Sequence, residues 1–483
     1  MKKPGLLLSL TPVLFLVILL VINVVIFKDD SSYGPNQIAL FMSSLFSGVL
    51  GTLFLKTEYK VIEKGIVNAL SSSIGALTIL LVIGALIGAW ILSGTVPTMI
   101  SYGLKLINPH FFLPVSCLIC SLISLSTGSS WSTTGTVGIA LIGIGTTLGL
   151  DSGIVAGAVI SGAYFGDKMS PLSDTTNLAS AVAGTNLFTH IKHMCYTSGP
   201  AIIITLVIFT IIGLFGRQTH INTSEITTIQ KIIEANFNIS PMTLFPLVVV
   251  LIMIQRKTPA LPAISFGIVS AILISLFCQN QTYVKLNPNN LSIEGYYKTI
   301  IEVLFNGFKI NSGHKVIDKL LNRGGMSGML STVWLIFAAM VFGGTLKATG
   351  MLDCIASSIL RLVKGTGSLI GSTLGSCIVL NATASDQYLA IIVPGEMFRE
   401  SYEKYNLAPE NLSRALEDAG TVTSVLIPWN SGGAYNSSVL GVSTYSYAPY
   451  CFFNILSPCV SLFLATMNLT IHKKIKKSLE DKN

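Results

Sequence analysis

Hydrophobic stretches long enough to cross a bilayer recur from one end of this chain to the other. They fall at 6–27, 36–55, 67–93, 151–188, 198–216, 241–255, 259–278, 326–348, 417–442 and 450–470. A helix needs about 20 residues to span the hydrocarbon core, so each run is a candidate crossing. Two further apolar regions, 110–148 and 366–398, have polar middles and read as re-entrant hairpins. Two of the crossings, 151–188 and 417–442, are interrupted at their centres by polar and helix-breaking residues. The expected fold class is all-α: a polytopic membrane protein of about ten transmembrane helices plus two re-entrant hairpins, with broken helices.

The interruptions lie one repeat length apart. Pro171 and Pro428 are 257 positions apart, as are the polar hairpin centres at Thr127 and Ala384. Ser101, Leu104, Lys105 and Leu106 align with Ser357, Leu360, Arg361 and Leu362 at an offset of 256, and Gly88 and Gly94 with Gly344 and Gly350. By the span count, the first repeat enters from the cytoplasm and the second from outside, giving two inverted-topology repeats. The predicted organisation is N-terminal helices at 1–60 and a first repeat at 61–216. Connecting helices with an interfacial segment follow at 217–322, then a second repeat at 323–470 and a basic cytoplasmic tail at 471–483.

Composition agrees with this class. Of 483 residues, 51% are hydrophobic and only 11% charged, with a mean hydropathy of +0.69. Soluble domains carry about a quarter charged residues. The net charge of +8 sits between apolar runs, which excludes a nucleic-acid-binding stripe and fits basic cytoplasmic loops. Lys2, Lys3, Lys56, Lys60, Lys64, Lys192, Arg256 and Lys257 fall on one side of the predicted membrane. Arg361, Lys364, Arg399, Lys404, Arg414 and the tail from Lys473 to Lys477 fall there too, so both termini are expected in the cytoplasm. The segment 279–325 conflicts with this rule, carrying Lys285, Lys298, Lys309, Lys315, Lys319 and Arg323 on the predicted outer side. Its mixed stretch 296–321 reads partly as a helix on the membrane surface. The run 6–27 exceeds the 7–15 residues of a signal-peptide core and is read as a retained first helix. Cys117 and Cys120 form a lone CxxC without a partner pair, so packing rather than metal or redox chemistry is expected.

The interruptions carry the chemistry. The first reads Phe165-Gly166-Asp167-Lys168-Met169-Ser170-Pro171-Leu172-Ser173-Asp174-Thr175-Thr176-Asn177, and the second Ser424-Val425-Leu426-Ile427-Pro428-Trp429-Asn430-Ser431-Gly432-Gly433. In a helix, Pro171 would free the carbonyl of Asp167 and Pro428 that of Ser424. The oxygen-rich side chains Asp167, Ser170, Ser173, Asp174, Thr175 and Asn177 suit a hard cation such as Na⁺. The hairpin centres add Thr127, Ser129 and Ser130 from the first half and Thr383, Ser385 and Asp386 from the second, joined by Asn430 and Ser431. Asp167, Asp174 and Asp386 are the expected Na⁺ carboxylates, because an ionisable group at membrane depth is costly and therefore functional by default. A lone carboxylate there is neutralised by a proton or by a cation, and competition between the two is all that exchange requires. Lys168 is read either as a neutralising partner of Asp167 or as a coupling residue. Asp151 is expected to cap a helix, Asp353 to lie at an interface, and Glu396, Glu417 and Asp418 to lie near cytoplasmic ends. His190 and His193 are read as interfacial.

The run from Gly162 to Ala179, together with 423–433 and Arg323-Gly324-Gly325-Met326, resembles the NhaC family of Na⁺/H⁺ antiporters within the ion transporter superfamily. The resemblance covers nearly the whole chain. It implies secondary antiport of Na⁺ for H⁺ by alternating access in the plasma membrane of a prokaryote, without a cofactor. Its alternative is an organic-acid antiporter of the malate/lactate type, or an amino-acid antiporter, on the same scaffold. The partners implied are the lipid bilayer, Na⁺, H⁺ and, in the alternative, a small organic anion; a homodimer is compatible with the class. An enzyme is disfavoured: Phe165-Gly166-Asp167 lacks the first glycine of the membrane aspartyl protease motif, and neither HExxH nor GxSxG is present.

Overall fold

The computed structural model describes residues 3–27, 31, 34–106, 108–215, 223–256, 258–288, 291–314, 317–318, 321–361 and 363–474. Lys2, Lys257, Lys315, Lys319 and the tail beyond Lys474, all used above to assign sides, lie outside them. The described chain is helical, and its one β contact is an isolated bridge between Leu407 and Lys473.

Two helices, α1 (Leu6–Phe27) and α2 (Pro35–Leu55), precede the first repeat. That repeat comprises α3 (Tyr59–Leu92), α4 (Thr95–Leu106) and a hairpin of α5 (Phe112–Thr127), α6 (Ser130–Thr133) and α7 (Ile139–Thr147). The broken pair α8 (Ser152–Met169) and α9 (Asp174–Ala183) follows, then α10 (Leu187–Phe215). The connecting helices are α11 (Thr223–Asn236), α12 (Phe245–Gln255), α13 (Ala260–Cys278), α14 (Asn280–Leu286) and α15 (Ile293–Asn306). The second repeat contains α16 (Met326–Ala348), α17 (Met351–Leu360), and the hairpin α18 (Thr366–Thr383) and α19 (Gln387–Lys404). Its broken pair is α20 (Pro409–Leu416), extended by a π turn over Glu417–Thr421, and α21 (Ser431–Leu440); α22 (Thr444–Tyr447) and α23 (Phe452–Thr466) complete it.

Among the described residues, seven helices are long and apolar enough to cross a membrane, or nine if the bent pairs spanning 227–253 and 444–466 each count as one. The two broken segments stand outside that count. One of the seven is Pro109–Thr127, so the first arm of the predicted hairpin 110–148 is by itself of span length. The crossing predicted at 198–216 begins earlier, at Leu187, because the break after α9 falls at Gly184. Within the segment expected to lie on the membrane surface, the helix ends at Asn306.

The repeat recurs in backbone detail. Gly94 and Gly350, 256 positions apart, end α3 and α16 in left-handed conformation at φ +77° and +72°. Ser129 accepts a hydrogen bond from the Ser132 N–H at the start of α6, and its mate Asp386 accepts one from the Leu389 N–H at the start of α19. Ser173 caps α9 and Asn430 caps α21, again 257 apart. Gly184 and Gly441 close those helices at φ +79° and +64°. Side-chain caps satisfy N–H groups that hydrocarbon could not.

Contacts at the helix ends set the relative direction of the two broken segments. The Ser413 hydroxyl, in the first turns of α20, is 2.7 Å from His190 Nδ1, just beyond the end of α9. At the opposite end, a side chain on Gly153, in the first turn of α8, would collide with the Ser446 carbonyl, just beyond the end of α21. Each broken segment therefore starts beside the place where the other finishes, and the two run antiparallel. Small residues make this packing close: the Ser124 hydroxyl of α5 donates to the Ala163 carbonyl of α8 at 2.6 Å, and Gly162 lies where any Cβ would enter the Cys117 backbone.

Candidate functional site

A cavity of about 520 Å³ opens where the first hairpin, the first interruption and the second hairpin meet. Its walls are residues 127–132, Asp167, Leu172 and Asp174, faced by Gln387 and Tyr388 of α19. Gly75 and Ile79 of α3, the loop residues Thr258 and Pro259, and Ala260 at the start of α13 complete the rim. Among the described residues lining it there is no Lys, Arg or His.

Asp167 sits in the last turn of α8 and is only 5% exposed. Its Oδ2 accepts hydrogen bonds from the Ser130 N–H at 3.0 Å and the Ser130 hydroxyl at 2.6 Å. Its Oδ1 is buried without a hydrogen-bond partner. Asp174 begins α9 and is exposed in the cavity. The Tyr388 hydroxyl donates to its Oδ2 at 2.5 Å, and the Thr175 N–H donates to its Oδ1 at 2.9 Å. One carboxylate is thus at the base of the cavity and the other at its mouth.

The prolines do not leave free carbonyls. The Asp167 carbonyl accepts from the Ser170 N–H at 3.0 Å, and the Ser424 carbonyl accepts from the Ile427 N–H at 3.3 Å. Each helix tightens by one short turn before its proline, which re-satisfies the oxygen that Pro171 or Pro428 would have orphaned.

The other predicted oxygens divide by position. Thr127, Ser129 and Ser130 line the cavity beside the two aspartates. Ser170, Ser173, Thr175 and Asn177 hold the interruption in shape: Ser170 Oγ accepts from the Leu172 N–H, and Thr175 Oγ1 lies 3.1 Å from Ser173 Oγ. Asn177 donates to the carbonyls of Pro171 and Ser173. The second half makes a separate knot. Thr383 donates to the Val379 carbonyl, and Asp386 is a buried cap on α19 that does not line the cavity. Asn430 donates to the carbonyl and side-chain oxygen of Asn381, at 2.9 and 3.0 Å. The Ser431 N–H donates to the Ser385 carbonyl at 3.0 Å, while the Ser385 hydroxyl is buried without a partner.

An aromatic pair joins the cavity wall to α21. Trp131 stacks on Tyr435 with ring centroids 4.1 Å apart, and the Tyr435 hydroxyl donates to the Trp131 carbonyl at 2.7 Å. Behind it, Asn436 donates to the Tyr164 hydroxyl at 3.3 Å.

Several charged residues are placed differently from the sequence reading. Lys168 pairs with Asp418 rather than Asp167, and both are fully buried. Lys168 also donates to Ser457 Oγ at 2.9 Å, and Asp418 accepts from Thr197 at 2.9 Å. Glu417 is fully buried as well, with neither carboxylate oxygen in a hydrogen bond. These acids were expected near a cytoplasmic end; they lie inside because α20 and the π turn that extends it run inward from the end of the bundle. His190 and His193 are buried too, the latter 3.0 Å from the Thr470 carbonyl. A signal existed: Arg414, Glu417, Asp418 and Thr421 share the three- and four-residue spacing of one helix face. Asp151 caps α8 as expected, accepting from Gly153 and Ile154.

Comparison with known proteins bears on this arrangement. A family model described as the Na⁺/H⁺ antiporter family matches residues 162–469. The Na⁺/H⁺ antiporter NhaC of Alkalihalophilus pseudofirmus is 38% identical over 91% of this chain and 91% of its own. A malate-2H⁺/Na⁺-lactate antiporter of Bacillus subtilis is 36% identical over 91% of this chain and 90% of its own. The arginine/ornithine antiporter ArcD of Halobacterium salinarum is 33% identical over 99% of this chain and 95% of its own.

Proposed function

The chain is a multi-pass membrane protein of the Na⁺/H⁺ antiporter family, and we propose that it exchanges Na⁺ for H⁺ by alternating access, with Asp167 as the group for which the two ions compete. The observation that carries this reading is the environment of Asp167. The carboxylate is buried at the base of an open cavity, and one of its oxygens is unpartnered. The neighbouring ammonium of Lys168 is committed to Asp418. A buried, unpaired carboxylate is too costly to persist as an anion, so it holds either a cation or a proton. Asp174 at the mouth draws cations in, and the Ser130 N–H and hydroxyl orient the Asp167 carboxylate toward the entering ion. Either ligand neutralises the site and permits it to change faces; the bare anion does not cross. Proteoliposomes with an imposed pH gradient test this. Addition of Na⁺ alone should dissipate the gradient, and a gradient unaffected by Na⁺ refutes the reading.

The orientation we propose places both ends of the described chain in the cytoplasm of a prokaryotic cell. Arg323, before α16, donates to the Leu440 carbonyl at the end of α21, whereas Cys354, just after α16, donates to the Pro4 carbonyl. The helix α16 has 23 residues, about 33 Å long, so these contacts lie at opposite ends of the bundle. The first residues described therefore share the end holding Arg399, Lys404 and Lys473, which supports a basic cytoplasmic face.

One observation favours a second reading. A cavity of about 520 Å³ with two carboxylates and, among the described residues, no lining base is larger than a bare ion requires. It would also accept a cationic amino acid, the class named for the archaeal relative. The same wall chemistry disfavours malate or lactate, which would need a cation to pair with their carboxylates. Counterflow with arginine, ornithine, malate and lactate, each without Na⁺, separates these cases.

A further inference from the structure

A second cavity, of about 360 Å³, opens on the other end of the bundle and reaches inward to Pro428. Nine of its fifteen described lining residues carry hydroxyl groups and none of the fifteen is charged. Its position is not arbitrary. Ser331 and Leu335 of α16 line it, and their mates 256 positions earlier, Gly75 and Ile79 of α3, line the cavity at Asp167. The two cavities are thus related by the repeat and approach the two prolyl interruptions from opposite ends.

They differ in how the interruption behind them is held. In the second half, Trp429 Nε1 donates to the Ala382 carbonyl at 2.8 Å, Asn430 donates twice to Asn381, and the Ser431 N–H donates to the Ser385 carbonyl. All four bonds tie the interruption to the tip of its own hairpin. Ser431 is consequently 3% exposed, whereas its mate Asp174 is exposed. The first half has Leu172 where the second has Trp429, so no indole is available to make the corresponding bond. One further pair keeps its position in both halves: Ser130 donates to Asp167, and at the mates of these residues Ser424 donates to Gln387 at 3.3 Å.

We propose that the hydroxyl-lined cavity is the opposite-facing half of the same cation pathway, held shut in this conformation by the clamp of Trp429, Asn430 and Ser431 on the second hairpin. The proposal rests on alternating access, and it adds the exit route and the residues that close it. In the other conformation the clamp releases, Ser431 becomes exposed as Asp174 is here, and the cation leaves past weak neutral hydroxyls. A wall without charge among its described residues suits release, because no second anion there retains an ion that has left Asp167.

The test is thiol accessibility in the full chain. The background replaces Cys195, Cys278, Cys354 and Cys459 with Ser; Ser437→Cys marks the face onto which the second cavity opens, and Ser431→Cys is the probe. A membrane-impermeant maleimide is applied separately to right-side-out and inverted vesicles. Ser431→Cys should react slowly in the parent. In the Trp429→Phe variant it should react about fivefold faster, from the same face as Ser437→Cys, the ratio expected for one lost hydrogen bond of ordinary worth. Asn430→Asp, which keeps the helix cap but removes both donations to Asn381, should do the same if Trp429→Phe does not give a monodisperse protein. Unchanged reactivity in a folded variant, or acceleration from the opposite face, overturns the proposal. Na⁺-driven proton flux in the same vesicles reports separately on the ion assignment, since labelling does not depend on which cation is carried.

Discussion

Breaking the buried pair of Lys168 and Asp418 should damage the protein more than deleting it. Both side chains are completely buried, and they tie α8 to the π turn after α20. Ser457 on α23 and Thr197 on α10 complete the shell, and the Phe453 ring lies 5.8 Å from the ammonium. Lys168→Met leaves an uncompensated anion held by two hydroxyls, and Asp418→Asn leaves an uncompensated cation. Stranding one charge of a buried pair costs about 3–5 kcal/mol, a large share of the roughly 5–15 kcal/mol that stabilises a typical fold. The double variant removes both charges and keeps an amide oxygen to accept from Thr197 and Ser457. It should therefore come within about 1 kcal/mol of the parent and so stand roughly 2–4 kcal/mol above either single variant, which makes the coupling in the double-mutant cycle roughly 5–9 kcal/mol. Thermal unfolding of the four proteins in one detergent, followed by gel filtration, ranks them. Since the pair does not line the cavity, the double variant should also retain Na⁺-driven exchange. If the single variants are as stable as the parent, or the double variant no better than the worse single, the pair does not hold these helices together.

Asp167→Asn should abolish Na⁺-driven exchange while leaving the gel-filtration profile unchanged; measurable flux would remove Asp167 from the site. Asp174→Asn, at the exposed mouth, should instead raise the half-saturating Na⁺ concentration on the order of tenfold, the effect of one interaction of about 1.4 kcal/mol, with maximal rate largely kept. Flux titrations in proteoliposomes distinguish these outcomes. Asp386→Ser should transport normally, because serine also caps a helix, whereas Asp386→Ala should lose about 1 kcal/mol of stability. Equal loss of transport in both Asp386 variants would make that carboxylate an ion ligand rather than a cap.

The legible part of this protein was whatever the membrane forces on a sequence. Apolar runs must be of span length, so helices such as Leu6–Phe27 and Met326–Ala348 could be read to the residue. The repeat was legible because both halves solve the same backbone problem at the same place. The pairs Pro171 and Pro428, and Gly94 and Gly350, keep their spacing. The acidic motif around Asp167 also stood out, since carboxylates seldom occur inside apolar runs. Less legible were the roles within it. Of the oxygens between Asp167 and Asn177, most hold the interruption together, because a chain leaving a helix in hydrocarbon must satisfy its own N–H and C=O groups first.

By itself the sequence determined an all-α membrane protein with two related halves, each broken by a proline and flanked by a polar hairpin, because hydropathy and helix breaking act locally. Only the tertiary structure decided that Lys168 serves Asp418, 250 positions away, and that Glu417 is buried. It also decided that one interruption faces an open cavity while its mate is clamped. Those outcomes depend on which antiparallel neighbour each helix end meets, and a charge inside a membrane takes whatever partner packing brings within reach.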